Sequence, residues 1–253
     1  MGTYVITGAA SGIGKAIAEQ LKSEGHSIVS VDIQEADIVA DLASPEGRDS
    51  AVQAICEATI DGLTGLITCA GVGSHVPNNS LITTVNYFGS VELIEGLREH
   101  LAANKAAVLL VSSNSAPMET NPAFVDSLLN SDIEQACALA QQMQGQPVYS
   151  GTKQAVTIWM RRNAASYAAQ GIRMNAIGPG YTQTPLSAAV EDNPTYGEAI
   201  KQFIASIPVG RPGQPQDMAD AASFLLGERA GFICGAILFV DGGHDAMMRP
   251  DSF

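Results

Sequence analysis

Short apolar runs alternate along this chain with longer segments in which apolar residues recur at helical spacing. The short runs, rich in β-branched residues, are 3–7, 27–32, 38–41, 66–69, 107–112, 172–176 and 237–240. The helical segments are 12–24, 45–59, 80–100, 148–170 and 215–226. This alternation is typical of a parallel β-sheet wrapped by helices. Several runs are continuously apolar, as strands buried on both faces require, so the pattern predicts an α/β fold with a seven-stranded parallel sheet.

Two segments do not fit the alternation. Residues 117–147 are acidic and Gln-rich, with helical spacing of apolar residues at Phe124, Leu128, Ile133 and Leu139. Residues 186–212 are rich in Pro, Gly and Ala. No internal repeat or linker divides the chain, so we interpret both segments as excursions from one domain that spans residues 1–253.

Composition and charge narrow the possible partners. The formal net charge is −13, and only 13 Lys and Arg residues are spread through the chain, which argues against binding to nucleic acid. The longest strongly apolar stretch, residues 106–111, is far too short to span a membrane. We therefore expect neither nucleic acid nor a membrane as a partner.

The cysteines and histidines give no metal pattern. The four cysteines are Cys56, Cys69, Cys137 and Cys234, without a CxxC pair, and the four histidines have no ligand spacing. The apolar run at residues 4–6 lacks the basic leader and cleavage site of a secretory signal. We expect reduced thiols, no metal and a cytoplasmic location.

A glycine-rich turn joins the first predicted strand to the first predicted helix. Gly8 permits a tight turn, Gly12 lets the backbone approach a pyrophosphate, and Gly14 allows close packing of helix on strand. The cofactor-binding residues that this turn predicts are Gly8, Ser11, Gly12, Ile13 and Gly14. The alternative is a sharp corner without a ligand. A triphosphate-binding P-loop is excluded because Ala16 stands where its hydroxyl is needed.

Asp32 ends the second predicted strand, about 20 residues after the glycines, where a carboxylate accepts hydrogen bonds from an adenosine ribose. A carboxylate repels a 2′-phosphate, and Ser11, Ile33 and Gln34 supply no cation to attract one. The predicted cofactor is therefore NAD rather than NADP. The alternative is that Asp32 merely caps a helix or stabilises a turn.

Four polar residues are candidates for catalysis. Tyr149 and Lys153 are four residues apart on a predicted helix, so they share one face, and an ammonium lowers the pKa of a neighbouring phenol. Ser113 follows a strand at the expected ligand-binding edge of the sheet. Asn86 lies inside a helical pattern that disfavours a polar amide. A Tyr-x-x-x-Lys spacing also arises by chance, so it indicates a catalytic site only together with Ser113 and Asn86.

Taken together, these motifs resemble the short-chain dehydrogenase/reductase family over essentially the whole chain. The matching positions are 7–14 (TGxxxGIG), Asp41-Leu42, Ala70-Gly71, Asn86, Ser113, 149–153 (YSGTK), 175–180 (NAIGPG) and 241–243 (DGG). The resemblance implies a doubly wound Rossmann domain. It also implies a hydride-transfer enzyme that interconverts an alcohol and a ketone.

Residue roles follow from the same resemblance. It implies that Tyr149 is the acid/base, that Lys153 binds the nicotinamide ribose, that Ser113 binds the substrate carbonyl and that Asn86 supports a water relay. It implies cofactor contacts from Asp41, Leu42, Cys69, Ala70, Gly71, Tyr149, Lys153, Pro179, Gly180, Thr182 and Thr184. Cys69 departs from the asparagine that is usual in the family, which removes a polar side chain from that contact.

The segment 117–147 separates Ser113 from Tyr149 by 36 residues, more than in most family members, so it is predicted to be a helical insertion before the catalytic tyrosine. This insertion and several short matching segments make the chain similar to the hydroxysteroid dehydrogenase/carbonyl reductase branch of the family. In that branch the insertion covers a tetramer-forming surface, which implies a homodimer through another face. The alternative is a surface decoration without a role in assembly.

Three functional hypotheses are compatible with the sequence. The first is an NAD-dependent oxidoreductase for a steroid-like or other bulky alicyclic alcohol, with 186–212 as a substrate lid. The lid's apolar residues are Leu186, Ala189, Val190, Tyr196, Ile200, Phe203 and Ile204. The second keeps the chemistry on a monocyclic terpene alcohol, cyclic diol or sugar alcohol. The third is an NAD-sensing regulator without turnover. A plain pair of surface helices is the alternative to the lid.

Overall fold

In the computed structural model, which describes residues 1–191 and 197–252, one parallel sheet of seven strands runs through the molecule. Its strands are β1 Thr3–Thr7, β2 Ser27–Asp32, β3 Ile38–Val39, β4 Gly65–Thr68, β5 Ala107–Val111, β6 Arg173–Pro179 and β7 Ile237–Val240. The strand order β3-β2-β1-β4-β5-β6-β7 reverses direction between β1 and β4. The predicted doubly wound Rossmann fold is therefore confirmed.

Helices cover both faces of this sheet. The α-helices are α1 Gly12–Ser23, α2 Pro45–Ala58, α3 Asn79–Thr83, α4 Gly89–Gly96, α5 Arg98–Asn104, α6 Pro122–Leu129, α7 Ile133–Ala140, α8 Gly145–Ala168, α9 Pro185–Glu191, α10 Gly197–Ala205, α11 Pro215–Leu226 and α12 His244–Met248. One buried cluster holds residues of α2, α4 and α8, and a second holds residues of α1 and α11. Each sheet face therefore has its own core, which explains the continuously apolar strands.

Several predicted boundaries are wrong by a few residues. The third run gives a strand of only two residues, Ile38–Val39, because Asp41 turns the chain toward α2 by accepting a hydrogen bond from Ala43 N at 2.9 Å. β6 extends to Pro179, three residues past the prediction, because its pairing with β7 continues to Pro179. α8 begins three residues before the predicted Val148, at Gly145.

The predicted single helix 80–100 is broken into pieces. α3 passes into a π-helical turn, Thr84–Phe88, which is followed by α4 and then α5. Asn86 lies in that turn, so its predicted place in a regular helix is wrong. π-Helical turns inside helices often mark functional sites, because they redirect one side chain without ending the helix.

The insertion is helical, as predicted, and belongs to the core. Its helices α6 and α7 pack on each other, α6 packs on α8, and α7 packs on α3. Phe124 and Leu128 are fully buried. A Cβ at Gly151 of α8 would lie 2.8 Å from the Phe124 ring, so this glycine lets the insertion approach the helix closely. The insertion is therefore an integral part of the fold of this chain, and its role in assembly stays a prediction.

Candidate active site

The glycine turn is shaped by close backbone approach. Gly8 has a positive φ of 69°, and a Cβ there would lie 2.8 Å from the Ala70 backbone. A Cβ at Gly14 would clash with the Gly8 carbonyl. Thr7 Oγ1 accepts hydrogen bonds from Cys69 N at 3.1 Å and from Ala70 N at 3.0 Å, which joins β1 to the loop after β4. This cradle has the open backbone that a pyrophosphate needs at a helix N-terminus.

Asp32 lies at the carboxyl end of β2, beside the glycine turn. Its Oδ2 accepts a hydrogen bond from Ala10 N at 3.0 Å, and its Oδ1 accepts one from Ile33 N at 2.7 Å. The carboxylate is thereby fixed at the edge of the cleft. It has the position and charge to accept hydrogen bonds from ribose hydroxyls.

The loop between β3 and α2 is held from beneath by a buried arginine. Arg48 on α2 donates from Nη1 to the carbonyl oxygens of Leu42 at 3.1 Å and Ala43 at 3.0 Å. Its Nε donates to Glu92 Oε2 on α4 at 2.6 Å. These bonds fix Asp41 and Leu42, which line the cleft. Sequence reasoning missed this role of Arg48.

One cleft of about 400 Å³ runs along the carboxyl ends of the strands. All the predicted cofactor-binding residues line it, from the glycine turn to Thr184, and so do three of the four predicted catalytic residues. Asn86 is the exception, because it lies behind the cleft wall. The crevice at the strand reversal is where open α/β sheets bind ligands.

Tyr149, Lys153 and Ser113 meet at one end of this cleft. Tyr149 and Lys153 lie on successive turns of α8, with Lys153 Nζ 5.8 Å from the centre of the Tyr149 ring. Burial raises the pKa of Tyr149, and a hydrogen bond with Ser113 partly offsets that rise. Burial lowers the pKa of Lys153 to about 8. Lys153 Nζ donates to the Val111 carbonyl at 2.9 Å, which aims the side chain across the end of β5.

Asn86 is fully buried and clamps the loop after β4. Its Oδ1 accepts from Val72 N at 2.8 Å, and its Nδ2 donates to Val72 O at 3.0 Å. A Cβ at Gly71 would lie 3.2 Å from Asn86 Oδ1 and 3.7 Å from Lys153 Nζ, so the three residues adjoin. Val72 therefore engages both polar groups of the Asn86 side chain, and the role of Asn86 in a water relay stays a prediction.

Cys69 replaces a polar residue at the cleft floor. Burial raises the pKa of its thiol to about 12, so the side chain is neutral at physiological pH. The four cysteines are all free thiols, as expected.

Part of the lining of the cleft is apolar. It is formed by Val72, Leu81, Val85 and Leu186. Leu81 and Val85 are four residues apart in the segment that spans α3 and the π-helical turn, so their spacing in the sequence was a usable signal for this wall.

The predicted lid forms two helices, α9 and α10. Leu186 on α9 lines the cleft, and the Phe203 ring on α10 packs against His244 with centroids 4.2 Å apart. Ile200 and Ile204 are partly buried. Tyr196 and the side chains of Ala189 and Val190 lie outside the described residues.

Known proteins are similar to this chain in both sequence and fold. A family model described as enoyl-(acyl carrier protein) reductase matches residues 8–245. The 3-alpha-hydroxysteroid dehydrogenase/carbonyl reductase of Comamonas testosteroni is 37% identical, with 100% of each chain covered. The cis-4-hydroxycyclohexanecarboxylate dehydrogenase of Sinomonas cyclohexanicum is 31% identical over 96% of each chain. The crystal structure of the 3-alpha-hydroxysteroid dehydrogenase from Pseudomonas sp. B-0831 complexed with NADH matches with a TM-score of 0.94 and 42% identity, covering 99% of this chain and 100% of that one.

The chain therefore belongs to the short-chain dehydrogenase/reductase family, as its motifs predicted. Within that family it is similar to bacterial 3α-hydroxysteroid dehydrogenase/carbonyl reductase, and this narrower prediction is confirmed too. The relatives are named as enzymes that act on hydroxyl groups. Among the described residues, no helix has the length and apolar character to cross a membrane.

Proposed function

We propose that this protein is an NAD-dependent dehydrogenase that interconverts a 3α-hydroxysteroid, or a similarly bulky alicyclic alcohol, with its ketone. The observation that carries the proposal is the meeting of Ser113, Tyr149 and Lys153 at the end of a cleft that begins at a dinucleotide cradle. The relatives named as 3-alpha-hydroxysteroid dehydrogenases support the substrate class.

The cofactor site fits NAD. Gly8, Gly12 and Gly14 leave room for the pyrophosphate, and Asp32 accepts hydrogen bonds from the adenosine ribose while repelling a 2′-phosphate. Asp41 and Leu42 enclose the adenine side. When bound, NAD supplies the hydride acceptor for alcohol oxidation and the donor for ketone reduction.

Residues near the ends of β4 and β6 would hold the nicotinamide end of the cofactor. Gly71, backed by Ala70 and Cys69, leaves an open surface beside Lys153. Pro179, Gly180, Thr182 and Thr184 line the opposite wall. Thr184 N donates a hydrogen bond to Ser187 Oγ at 2.9 Å, which fixes the start of the lid beside the cleft.

Tyr149 is the proton carrier in this proposal. The phenolate takes the proton of the substrate hydroxyl during oxidation, and the phenol returns it to the ketone oxygen during reduction. Burial raises the pKa of Tyr149. The positive charge of the Lys153 ammonium, 5.8 Å from the centre of the Tyr149 ring, would favour the phenolate. Ser113 donates a hydrogen bond to the substrate oxygen and so stabilises the charge that develops there. Asn86 supports this arrangement by holding the loop at Val72.

The substrate side of the cleft favours an apolar ring system. Leu81, Val85 and Leu186 offer no hydrogen-bonding side chains, so a fused alicyclic skeleton buries its surface there without stranded polar groups. A polyol would lose its hydration against the same wall.

The test is turnover of a substrate panel by the wild-type protein. Androsterone, a 3α-hydroxysteroid, should give the highest kcat/KM with NAD, ahead of cyclohexanol, a cyclic terpene alcohol and sorbitol. Asp32→Ala should weaken NAD binding by at least about tenfold and much more than NADP binding, because the carboxylate binds the ribose of NAD but repels the 2′-phosphate of NADP. Equal losses for the two cofactors would contradict the assignment of Asp32.

A second candidate is the same chemistry on a monocyclic alcohol. The relative named cis-4-hydroxycyclohexanecarboxylate dehydrogenase favours it, and so does one named cyclohexanol dehydrogenase from an Acinetobacter strain. A monocyclic substrate predicts the highest kcat/KM for cyclohexanol or a cyclic diol in the same panel.

An NAD sensor without turnover would have no chemical reason to keep Ser113, Tyr149 and Lys153 together. NAD binding without turnover of any panel member, unaltered by Tyr149→Phe, would favour that reading.

We propose that the protein acts as a homodimer through the β7 edge of the sheet. β7 is a terminal strand with an open edge, and exposed apolar side chains lie near it, namely Phe232, Leu238 and Phe224. The insertion occupies the α3 and α8 surfaces, which favours a dimer over a tetramer. Phe232→Asp should halve the mass in light scattering, whereas the exposed Met118→Asp should leave it unchanged; equal masses for all three proteins would contradict this interface.

We propose a cytoplasmic location. The four free thiols and the use of an intracellular dinucleotide support it. Fractionation of the source cells should place the NAD-dependent activity with cytoplasmic markers, and activity outside the cytoplasm would contradict the proposal.

A further inference from the structure

Both acceptor positions of the Ser113 hydroxyl are filled by a single residue. The main-chain N–H of Ser115 donates to Ser113 Oγ at 3.1 Å, and the Ser115 hydroxyl donates to the same atom at 3.0 Å. A serine hydroxyl has two acceptor lone pairs and one proton. Ser113 is thus left with its proton as its one remaining hydrogen-bonding capacity.

The fold of the turn does not require the Ser115 side chain. The turn is closed by the bond from Ala116 N to Ser113 O at 3.1 Å, and any residue except proline at position 115 would supply the main-chain N–H. Gln154 Nε2 also donates to Ala116 O at 3.1 Å, which ties the turn to α8 next to Lys153. The hydroxyl of Ser115 is therefore an addition to a turn that is already held.

Both serines are almost completely enclosed, each with 7% of its surface exposed. Solvent access to the pair is therefore slight, and water competes little for these hydrogen bonds. A hydroxyl that accepts two hydrogen bonds becomes a stronger donor, because each bond polarises the next. The direction of donation runs from Ser115 to Ser113 and onward to the oxygen that Ser113 faces.

We propose that Ser115 is a positioning residue that makes Ser113 an obligatory hydrogen-bond donor, toward Tyr149 in the free protein and toward the substrate oxygen once a substrate is bound. This inference rests on the proposed alcohol–ketone chemistry. With Ser115 in place, Ser113 cannot turn its lone pairs toward a reacting oxygen, so its proton stabilises the Tyr149 phenolate before substrate binds and the developing alkoxide during the reaction. Without the Ser115 hydroxyl, Ser113 regains a lone pair and a second orientation.

The experiment compares three variants with wild type. Ser115→Ala removes the hydroxyl, Ser115→Thr retains one, and Ser127→Ala removes another buried serine hydroxyl, which donates to Phe124 O at 2.7 Å within the insertion. Ser127 is 6% exposed and so matches Ser115 in burial. The kcat/KM for oxidation of androsterone with NAD is measured against pH.

Ser115→Ala should lower kcat/KM about five- to tenfold near neutral pH, which is the loss of one hydrogen bond. It should also move the ionisation midpoint upward by about half a pH unit or more, because the phenolate loses part of its stabilisation. Ser115→Thr should recover most of both effects, and Ser127→Ala should move neither. A loss in Ser115→Ala that is equal at every pH, or a similar loss in Ser127→Ala, would overturn the proposal in favour of a packing role.

A second readout needs neither substrate nor cofactor. Tyrosinate absorbance is titrated in the cofactor-free protein, and the Tyr149→Phe titration is subtracted to isolate Tyr149 from the other five of the six tyrosines. Ser115→Ala should raise the midpoint of the Tyr149 component. An unchanged midpoint would overturn the inference even if the substrate panel supports the proposed function. If Ser115→Ala raises the Tyr149 midpoint but the wild-type protein turns over no panel member, the proposed function is wrong. The inference that Ser115 fixes the hydrogen-bond direction of Ser113 would then still stand.

Discussion

Replacing Arg48 by Met should destabilise the protein and loosen the adenine end of the cofactor site. The guanidinium is buried, with 3% of its side chain exposed, and makes three hydrogen bonds. Methionine fills a similar volume and leaves the carbonyl oxygens of Leu42 and Ala43 without their donor. The perturbation therefore removes polar contacts while largely keeping the packing.

The magnitude follows from the exposure of the two charged partners. Breaking a fully buried ion pair costs about 3–5 kcal/mol, chiefly because the remaining charge is stranded. Here the remaining charge is Glu92, whose side chain is 39% exposed and regains water. The two orphaned carbonyls each cost about 1 kcal/mol or more. We expect a loss of about 2–4 kcal/mol in the free energy of unfolding.

Urea denaturation followed by circular dichroism measures the loss, and calorimetry measures cofactor affinity. NAD should bind about tenfold more weakly to Arg48→Met, because Asp41 and Leu42 lose their support. Nicotinamide mononucleotide, which lacks the adenosine, should bind to the variant as it does to wild type. Arg211→Met serves as the control because Arg211 lies in an exposed pair with Asp217. An unfolding free energy within about 0.5 kcal/mol of wild type, together with unchanged NAD affinity, would refute the role given to Arg48.

Three further predictions concern the catalytic end of the cleft. Gly71→Ala should lower kcat about tenfold or more, because its Cβ would lie 3.2 Å from Asn86 Oδ1 beside Lys153; a kcat within twofold of wild type in steady-state assays would contradict this crowding. Alcohol oxidation should accelerate and ketone reduction should slow as pH rises above neutral, because burial raises the pKa of Tyr149 and oxidation needs its ionised form; flat profiles in both directions would count against a tyrosine base. Cys69→Ser should leave NAD affinity, measured by calorimetry, within about threefold of wild type. The reason is that burial raises the pKa of the thiol to about 12 and keeps it neutral. A loss of about a hundredfold would show that the thiol makes a specific contact.

Residues whose role depends on local geometry were predictable from the sequence. The glycine turn had to follow a strand and open a helix, and Asp32 had to end the next strand, so periodicity and spacing located both. Tyr149 and Lys153 needed only one shared helix, which the apolar pattern supplied. These predictions concern neighbours in sequence, where strand and helix geometry fix the distances.

Residues that act across the fold were not predictable in the same way. Arg48 lies on an amphipathic helix, where arginine is ordinarily solvated, and it is buried because Glu92, 44 residues away, meets it. The sequence marks Asn86 as a polar residue in a helical pattern, but the apolar periodicity continues through the π-helical turn and gives no sign of the break in the helix. Ser115 is one of several polar residues after β5, and only the turn decides that its hydroxyl reaches Ser113.

NAD-dependent oxidation of androsterone by wild type and by Tyr149→Phe, followed by the absorbance of the reduced nicotinamide, tests the role of Tyr149 most directly. We expect clear turnover by wild type and a loss of about 10²–10⁴-fold in Tyr149→Phe, because proton transfer is removed. NAD affinity by calorimetry should stay within about threefold, since the aromatic ring is kept. A Tyr149→Phe enzyme that oxidises the steroid at a rate near that of wild type would contradict the assignment of Tyr149 as the proton carrier. A wild-type protein that binds NAD but oxidises neither the steroid nor any alicyclic alcohol would contradict the proposed dehydrogenase activity.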